Sequence, residues 1–482
     1  MTEVARQRTI GLIGMLLALA GGCSRPLVKP EPMVAVPQTF SATGTAPLHQ
    51  DWWQAFEDKT LDALIDRALA DNFDLMTAWD RLAQAHAVAR QTDTSLRPQA
   101  NLQAGASRTR TEDDRGTTYT GLYSVGVAAS YEVDLWSYLR STQRAAWLDV
   151  QASRDVVDAA AITLSASVAN TWYQLAEAKA LLRIARSQVD INKQVLEVVT
   201  LQFRKGAAAA ADVLRQRQLV ASTEATVISA EEAAALLQYT LSVLVGAEPS
   251  LAWQGREIDL PALPAMPDPG VPSEVLLRRP DVRLAYRQVQ AADQRLAAAI
   301  SDQYPRVSLS AGIETRVTSV SDLFDDWLAN LAGNLVQPLI DAGRRKAEVQ
   351  RQEAIVSERM HAWSQTILNA LQDVETALTQ EQQQARLLAN LNVRLPLAQE
   401  TYERNRQRFI KGQIDYIRVL ESLQSLQALE LNVVSAQRVL IQHRIDLYRS
   451  IAGPGDLAQP ALAQADGTTQ RQSNLEDRIQ SD

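Results

Sequence analysis

Phe203-Arg204-Lys205-Gly206 and Phe409-Ile410-Lys411-Gly412 decide how this chain is read. Both carry phenylalanine, lysine and glycine in the same order, and 409 minus 203 sets them 206 residues apart. Arg97-Pro98, followed by an alternating run from Gln99, returns at an offset of 207 as Tyr304-Pro305 with a run from Arg306. Leu244-Val245-Gly246 returns likewise as Ile451-Ala452-Gly453. A period kept by separate landmarks means one unit written twice.

Ahead of the first glycine turn, Ala161, Leu164, Val168, Thr171, Leu175, Ala178, Leu182, Ala185, Val189, Asn192, Leu196, Val199 and Phe203 step by three and four, with only Thr171 and Asn192 polar. That is the seam of a helix packed along one edge. The seam returns 206 residues on, from Ile367 to Phe409. Traced back to near Ser141 and Gly343, each helix exceeds sixty residues, roughly 90–100 Å at ~1.5 Å per residue. Beyond each Lys-Gly turn a second helix returns, through Val213, Val220, Val227, Ala234 and Leu241 in one copy and Val419, Leu426, Val433, Leu440 and Leu447 in the other. Pro396 inside the second long helix predicts a kink.

Between the helices the period changes to two. Tyr123, Val125, Val127, Ala129, Tyr131 and Val133 share one face and Ser124, Gly126, Ala128, Ser130 and Glu132 the other, a strand with one apolar side. Val307–Glu314 and Trp327–Leu335 repeat this, and Gln99–Arg108 is a fainter fourth. Thr109–Tyr119 and Thr315–Asp326 are expected as polar loops joining them in pairs. Strands of ~10 residues suit a tilted membrane barrel, but four strands cannot close one, and open edges are not tolerated in hydrocarbon. Several chains must therefore share a barrel, with strands at one pole and helix hairpins at the other.

The 482 residues carry a net charge of -8, without a Lys/Arg-rich run, which argues against a nucleic-acid partner and fits an acidic lumen or surface. Aromatics make up only 5%, as expected of long helices meeting at narrow seams. His49, His86, His361 and His443 lack ligand spacing, and there is no phosphate-loop, dinucleotide or nucleophile-elbow motif, so no catalytic residue, metal or cofactor is assigned. Arg6 and Arg8, the apolar run Ile10–Ala20, Gly21-Gly22 and the lone Cys23 follow the order of a secretory signal, too short in its apolar part to span a bilayer. The segment resembles a bacterial lipoprotein signal with Cys23 as the lipidated first residue, although Ala20 replaces the usual leucine. Ser24 in place of aspartate favours the outer membrane, and loss of Glu3, Arg6 and Arg8 (net +1) leaves -9.

The expected order is a signal at 1–22, an extended or equatorial segment at 23–60, and a first repeat at 61–250 with its strand hairpin at 99–135 and helix hairpin at 141–247. A linker at 251–272, a second repeat at 273–453 with hairpins at 306–338 and 343–451, and a disordered polar tail at 454–482 follow.

Four further stretches carry a family resemblance: Asp51-Trp52-Trp53-Gln54-Ala55-Phe56 with Asn72-Phe73-Asp74-Leu75; Ser130 to Trp136; Leu276 to Arg283, with Arg278-Arg279-Pro280-Asp281; and Gln337 to Arg345. With them the chain resembles the TolC-type outer-membrane efflux proteins, in their NodT-type lipoprotein branch. The resemblance implies a mostly α fold with membrane β, in which a homotrimer builds a periplasmic α-barrel and a twelve-strand β-barrel. It implies export of drugs and small solutes, docked through a periplasmic adaptor to an inner-membrane resistance-nodulation-division pump. Residues at the start of the returning helix, Arg418 and Glu421, match the family's acidic entrance rings, with Arg418 standing where aspartate is found. Arg418 then needs Glu421, Asp415 or the first-repeat Asp212 as partner across protomers, or it points into solvent; Asp212 and Arg215 are the first-copy counterparts of Arg418 and Glu421. Lys205, Gly206, Lys411 and Gly412 fall on the adaptor-docking turns. Trp52 and Trp53 are expected to pack, and Arg278, Arg279 and Asp281 to pair or cap as exposed charges of small effect. The rival readings are a periplasmic lipoprotein adaptor, which would carry one hairpin, and a structural coiled coil, which leaves the strands unexplained.

Overall fold

A computed structural model describes residues 32–47, 51–114, 116–252 and 257–451. Helices α1 (Lys59–Asp71) and α2 (Phe73–Thr94), strands β1 (Gln99–Asp113) and β2 (Gly116–Val133), and helices α3 (Tyr138–Arg204) and α4 (Ala210–Leu244) form the first repeat. Helices α5 (Pro272–Arg278) and α6 (Pro280–Ser301), strands β3 (Arg306–Val317) and β4 (Leu328–Val336), and helices α7 (Arg344–Ile410) and α8 (Tyr416–Ile451) form the second. The long helices α3 and α7 are each 67 residues, and their starts, 344 minus 138, keep the offset of 206.

The chain divides into two compact units. One holds residues 81–154 and 284–365 and contains the sheet. Its strands run in the order β1-β2-β3-β4, all antiparallel, so β1 and β4 are open edges. β1 and β4 are exposed along their whole length, which leaves Leu102, Leu328, Leu331 and Leu335 without cover from the described residues. The first expected loop is absent: β1 and β2 stay paired from Gln99↔Ser130 to Asp113↔Gly116, so Thr109–Tyr119 is mostly strand and the strands reach 15 and 18 residues. Thr315–Asp326 is shortened too, because β3 runs to Val317. Backbone pairing satisfies a strand whatever its side chains, so polar residues on both faces did not stop it. Below the strands, Trp136 donates Nε1–H to Pro305 O at 2.8 Å and stacks on Tyr304 at 5.0 Å, joining the two copies. Asp134 accepts from Leu139 and Arg140 N–H, both at 3.0 Å, and caps α3. Its counterpart Asp341, 207 residues on, accepts from Gly343 and Arg345 N–H at 3.1 and 3.3 Å at the start of α7.

The other unit holds residues 35–80, 155–283 and 366–451 and contains most of the helical core. Trp52, with 1% of its surface exposed, stacks on Tyr448 at 5.4 Å, and Phe56 meets Tyr173 at the same distance. Asp58 caps α1 through Thr60 and Leu61 N–H and accepts Trp172 Nε1–H at 2.7 Å. Asn72 and Arg279, 207 residues apart, turn out to do one job: Asn72 Nδ2 donates to Leu244 O at 3.0 Å and Arg279 Nη1 to Ser450 O at 3.2 Å, each closing the end of a returning helix. This corrects the expectation of weak surface pairs, because Arg279 is buried while paired with Asp281 and Asp373 at 2.8 and 2.9 Å. Burial works against its charge, and those two carboxylates more than offset it, keeping the guanidinium pKa above its ordinary value. The seam of α3 is buried from Ala161 to Ala178 and again at Ala185, Val189, Asn192 and Val199. α7 runs as one helix through Pro396, whose side chain is exposed. Among the described residues no helix is long and apolar enough to cross a membrane, and no group of three or more metal-ligating side chains assembles.

Candidate functional site at the helical tips

Each long helix ends in the same cap. Gly206 (φ 73°) and Gly412 (φ 68°) take the left-handed conformation that L side chains resist. Gly206 N–H bonds Phe203 O at 2.9 Å and Ala207 N–H bonds Gln202 O at 2.8 Å; Gly412 to Phe409 and Gln413 to Arg408 repeat this at 2.9 Å each. These are Schellman caps, which satisfy the last carbonyls and reverse the chain into α4 and α8. Lys205 and Lys411 stand exposed on the turns.

Behind the turns lies a shared core in which Val199, Val213, Tyr402, Phe409, Tyr416, Val419 and Leu423 are buried together. Phe409 meets Tyr416 at 5.6 Å between ring centres. The Tyr416 hydroxyl donates to Gln216 Oε1, and Gln216 Nε2 donates to Asn192 O at 2.7 Å. Gln427 Nε2 donates to Asn192 Oδ1 at 3.0 Å and Asn192 Nδ2 to Thr223 Oγ1 at 2.8 Å. The two polar seam breaks thus have different fates: Thr171 is simply buried, while Asn192 centres a satisfied network that fixes the register of α3, α4 and α8. Burial pushes the Tyr416 phenol above its ordinary value, and the charges of Asp212 and Tyr402 add to the shift.

The charged candidates separate by repeat. Asp212 Oδ2 accepts Ala209 N–H at 3.1 Å, holding the start of α4, and Arg215 lies 3.4 Å from its other oxygen. Both have partners inside their own hairpin. Arg418, Glu421 and Asp415 are exposed, and among the described residues none forms an ion pair within the chain. The partnership of Arg418 with Glu421, Asp415 or Asp212 is expected across protomers, and within one chain no such ion pair forms among the described residues. Instead Arg418 and Glu421 line a groove of about 340 Å³ between α7 and α8 with Thr401, Asn405, Ser422 and Ser425. Cys23 and the 454–482 tail lie outside the described residues.

Sequence reasoning missed one tip feature: the two phenylalanines of the repeated stretch differ in environment. Phe409 is 9% exposed and Phe203 44%. Tyr416 covers Phe409, whereas 206 residues earlier Ala210 stands in the tyrosine's place. Aligning the copies residue by residue would have found it.

These findings agree with comparisons to known proteins. A family model described as outer membrane efflux protein matches residues 64–247 and 271–453. The chain is 31% identical over 473 residues to the pyoverdine export outer membrane protein OpmQ of Pseudomonas aeruginosa, covering 95% of this chain and 99% of that one. It is 27% identical over 465 residues to the cation efflux system protein CusC of Escherichia coli, covering 92% and 99%. The solved outer-membrane channel OprN matches with a TM-score of 0.82 at 24% identity, over 89% of this chain and 99% of that one, a likeness of fold. A doubled unit of long helix hairpins and membrane strands, matched along both copies, makes this chain a member of the outer membrane efflux protein family, an outer-membrane component of an efflux system.

Proposed function

We propose that three copies of this chain form the exit duct of a tripartite efflux pump, passing drugs and other small solutes passively from pump and adaptor to the exterior. Cys23 is the acylated anchor, and the tip turns at Lys205-Gly206 and Lys411-Gly412 meet a periplasmic adaptor coupled to an inner-membrane resistance-nodulation-division pump. The observation that carries this reading is the four-strand sheet with two open edges and apolar side chains that none of the described residues covers. In hydrocarbon such edges must pair, and β4 of one copy can meet β1 of the next antiparallel, so three copies close twelve strands. Arg418 lines the entrance, since its side chain forms no ion pair among the described residues while its first-repeat counterpart Asp212 is consumed by a helix start.

Outer-membrane fractionation with a heat-sensitive band of three chains is the first test; a soluble monomer would overturn the reading. Arg418→Ala is expected to raise the leak through single channels in a planar bilayer and Arg418→Asp to change its ion preference. Unchanged conductance in both would remove Arg418 from the entrance.

A further inference from the structure

We infer that the first-repeat tip is the principal docking point for the partner hairpin, and that it takes a turn carrying an apolar side chain between carboxylates. This rests on the reading of the chain as an adaptor-docked duct. The tips reverse the sign of the molecule: residues 200–218 and 403–421 hold nine Lys or Arg against four Asp or Glu, in a chain of net charge -8. The first repeat holds +3 of this excess and the second +2, and Glu400, paired with Arg404 just outside the second stretch, lowers the second further. In the first repeat Arg204, Lys205 and Arg217 are exposed and form no ion pair among the described residues, and the one acid of 200–218, Asp212, is taken by Arg215 and Ala209 N–H. In the second repeat Asp415 and Glu421 offset much of the charge of Arg408, Lys411 and Arg418.

The apolar surface follows the same division. Leu201, Phe203 and Leu214 are exposed in the first hairpin. Their counterparts 206 residues on are the polar Gln407, the buried Phe409 and the buried Leu420. The second tip keeps Ile410 and Ile417 exposed but fills its own socket with Tyr416. At the first, the alanine run 207–211 leaves Phe203 open beside a rim of cations. An aromatic anchor within a charged rim is the arrangement of a specific protein interface, and the rim's sign selects the partner.

The probe is a pair of synthetic helical hairpins, one with a Glu-Leu-Glu turn and one with Lys-Leu-Lys, titrated by fluorescence anisotropy onto the full-length protein in detergent. The acidic hairpin is expected to bind at least about tenfold tighter, with the preference shrinking at high salt. Phe203→Ser, or Arg204→Glu with Lys205→Glu, should each weaken it about tenfold, and Arg408→Glu with Lys411→Glu less than about threefold. Equal losses from the two tips, or preference for the basic hairpin, would overturn the assignment. Phe203→Cys in intact outer membranes should react readily with a maleimide; protection would mean that a second copy covers this surface, which also overturns it. Conductance of the unmodified protein separates the two failures. A conducting channel that binds neither hairpin ends this inference alone, and a non-conducting protein ends the duct reading and the inference with it.

Discussion

On α3, Leu175 sits in the seam with 0% of its surface exposed, and 206 residues on α7 carries Glu381 in the same place at 7%. Opposite them, Gln238 on α4 has Arg444 as its counterpart on α8, and both are buried. The second repeat thus runs a bidentate ion pair, Arg444 to Glu381 at 2.8 and 2.6 Å, where the first has a hydrocarbon and an amide. The substitution falls where unrepeated chain lands on the helices: Arg444 Nη1 also donates to Pro264 O and, at 2.9 Å, to Ala265 O in the linker. A second example lies one turn and a half away, where Glu375 accepts from Ser41 N–H at 3.0 Å and Phe40 inserts among Val374, Leu378 and Leu447, while the first-repeat counterpart of Glu375 is the buried Ala169. Seams and caps keep the two backbones alike. Side-chain chemistry diverges where only one copy has a neighbour.

The largest effect should come from breaking that charged site. Arg444→Ala leaves Glu381 buried and alone and is expected to cost about 3–5 kcal/mol, read by thermal denaturation. Converting the pair to its first-repeat form, Glu381→Leu with Arg444→Gln, should cost clearly less; equal losses would mean the two interiors are not interchangeable. Next comes Gly246→Ala at the end of α4. A Cβ there would stand 2.3 Å from Asp71 O with φ at 69°, so about 2–4 kcal/mol is expected from overlap and left-handed strain together.

Tyr416→Phe is expected to cost about 2 kcal/mol, since it orphans the buried Gln216 carbonyl. It also carries a pH signature. The folded phenol pKa is raised, so its contribution is full below the unfolded value of about 10 and is lost as pH rises from there through the folded value. Buried Tyr173, Tyr402 and Tyr448 are raised too and keep part of this alkaline arm, so the variant should show a shallower arm than the parent, and an unchanged slope would remove Tyr416 from it. Gly206→Ala and Gly412→Ala should have the smallest effects, about 1 kcal/mol each, because nothing lies within 4 Å of either Cβ and only the left-handed backbone resists. Unequal losses there would show that the shared caps are not equivalent after all.

Much of the fold was legible because it is local: heptad steps, Lys-Gly turns and period-two runs each report their own element. Residues 109–119 were misread because their polarity suggests a loop, and only the partner strand reveals the pairing. The candidate site was legible in position and not in detail. Asp212 and Arg418 align by sequence, but that one caps a helix and the other faces a groove depends on Ala209 N–H and on the α7 surface. The common task of Asn72 and Arg279 was invisible for a similar reason, since an amide and a guanidinium share no pattern beyond the donor each aims at a helix end.

All of this serves a duct built from copies of one doubled unit. Single-channel recording in a planar lipid bilayer, using the heat-sensitive band purified from outer membranes, tests that most directly. Discrete, uniform conductance steps that vanish when the band is heated to monomer are expected. A preparation that stays silent, or that conducts equally well as monomer, would contradict the duct reading.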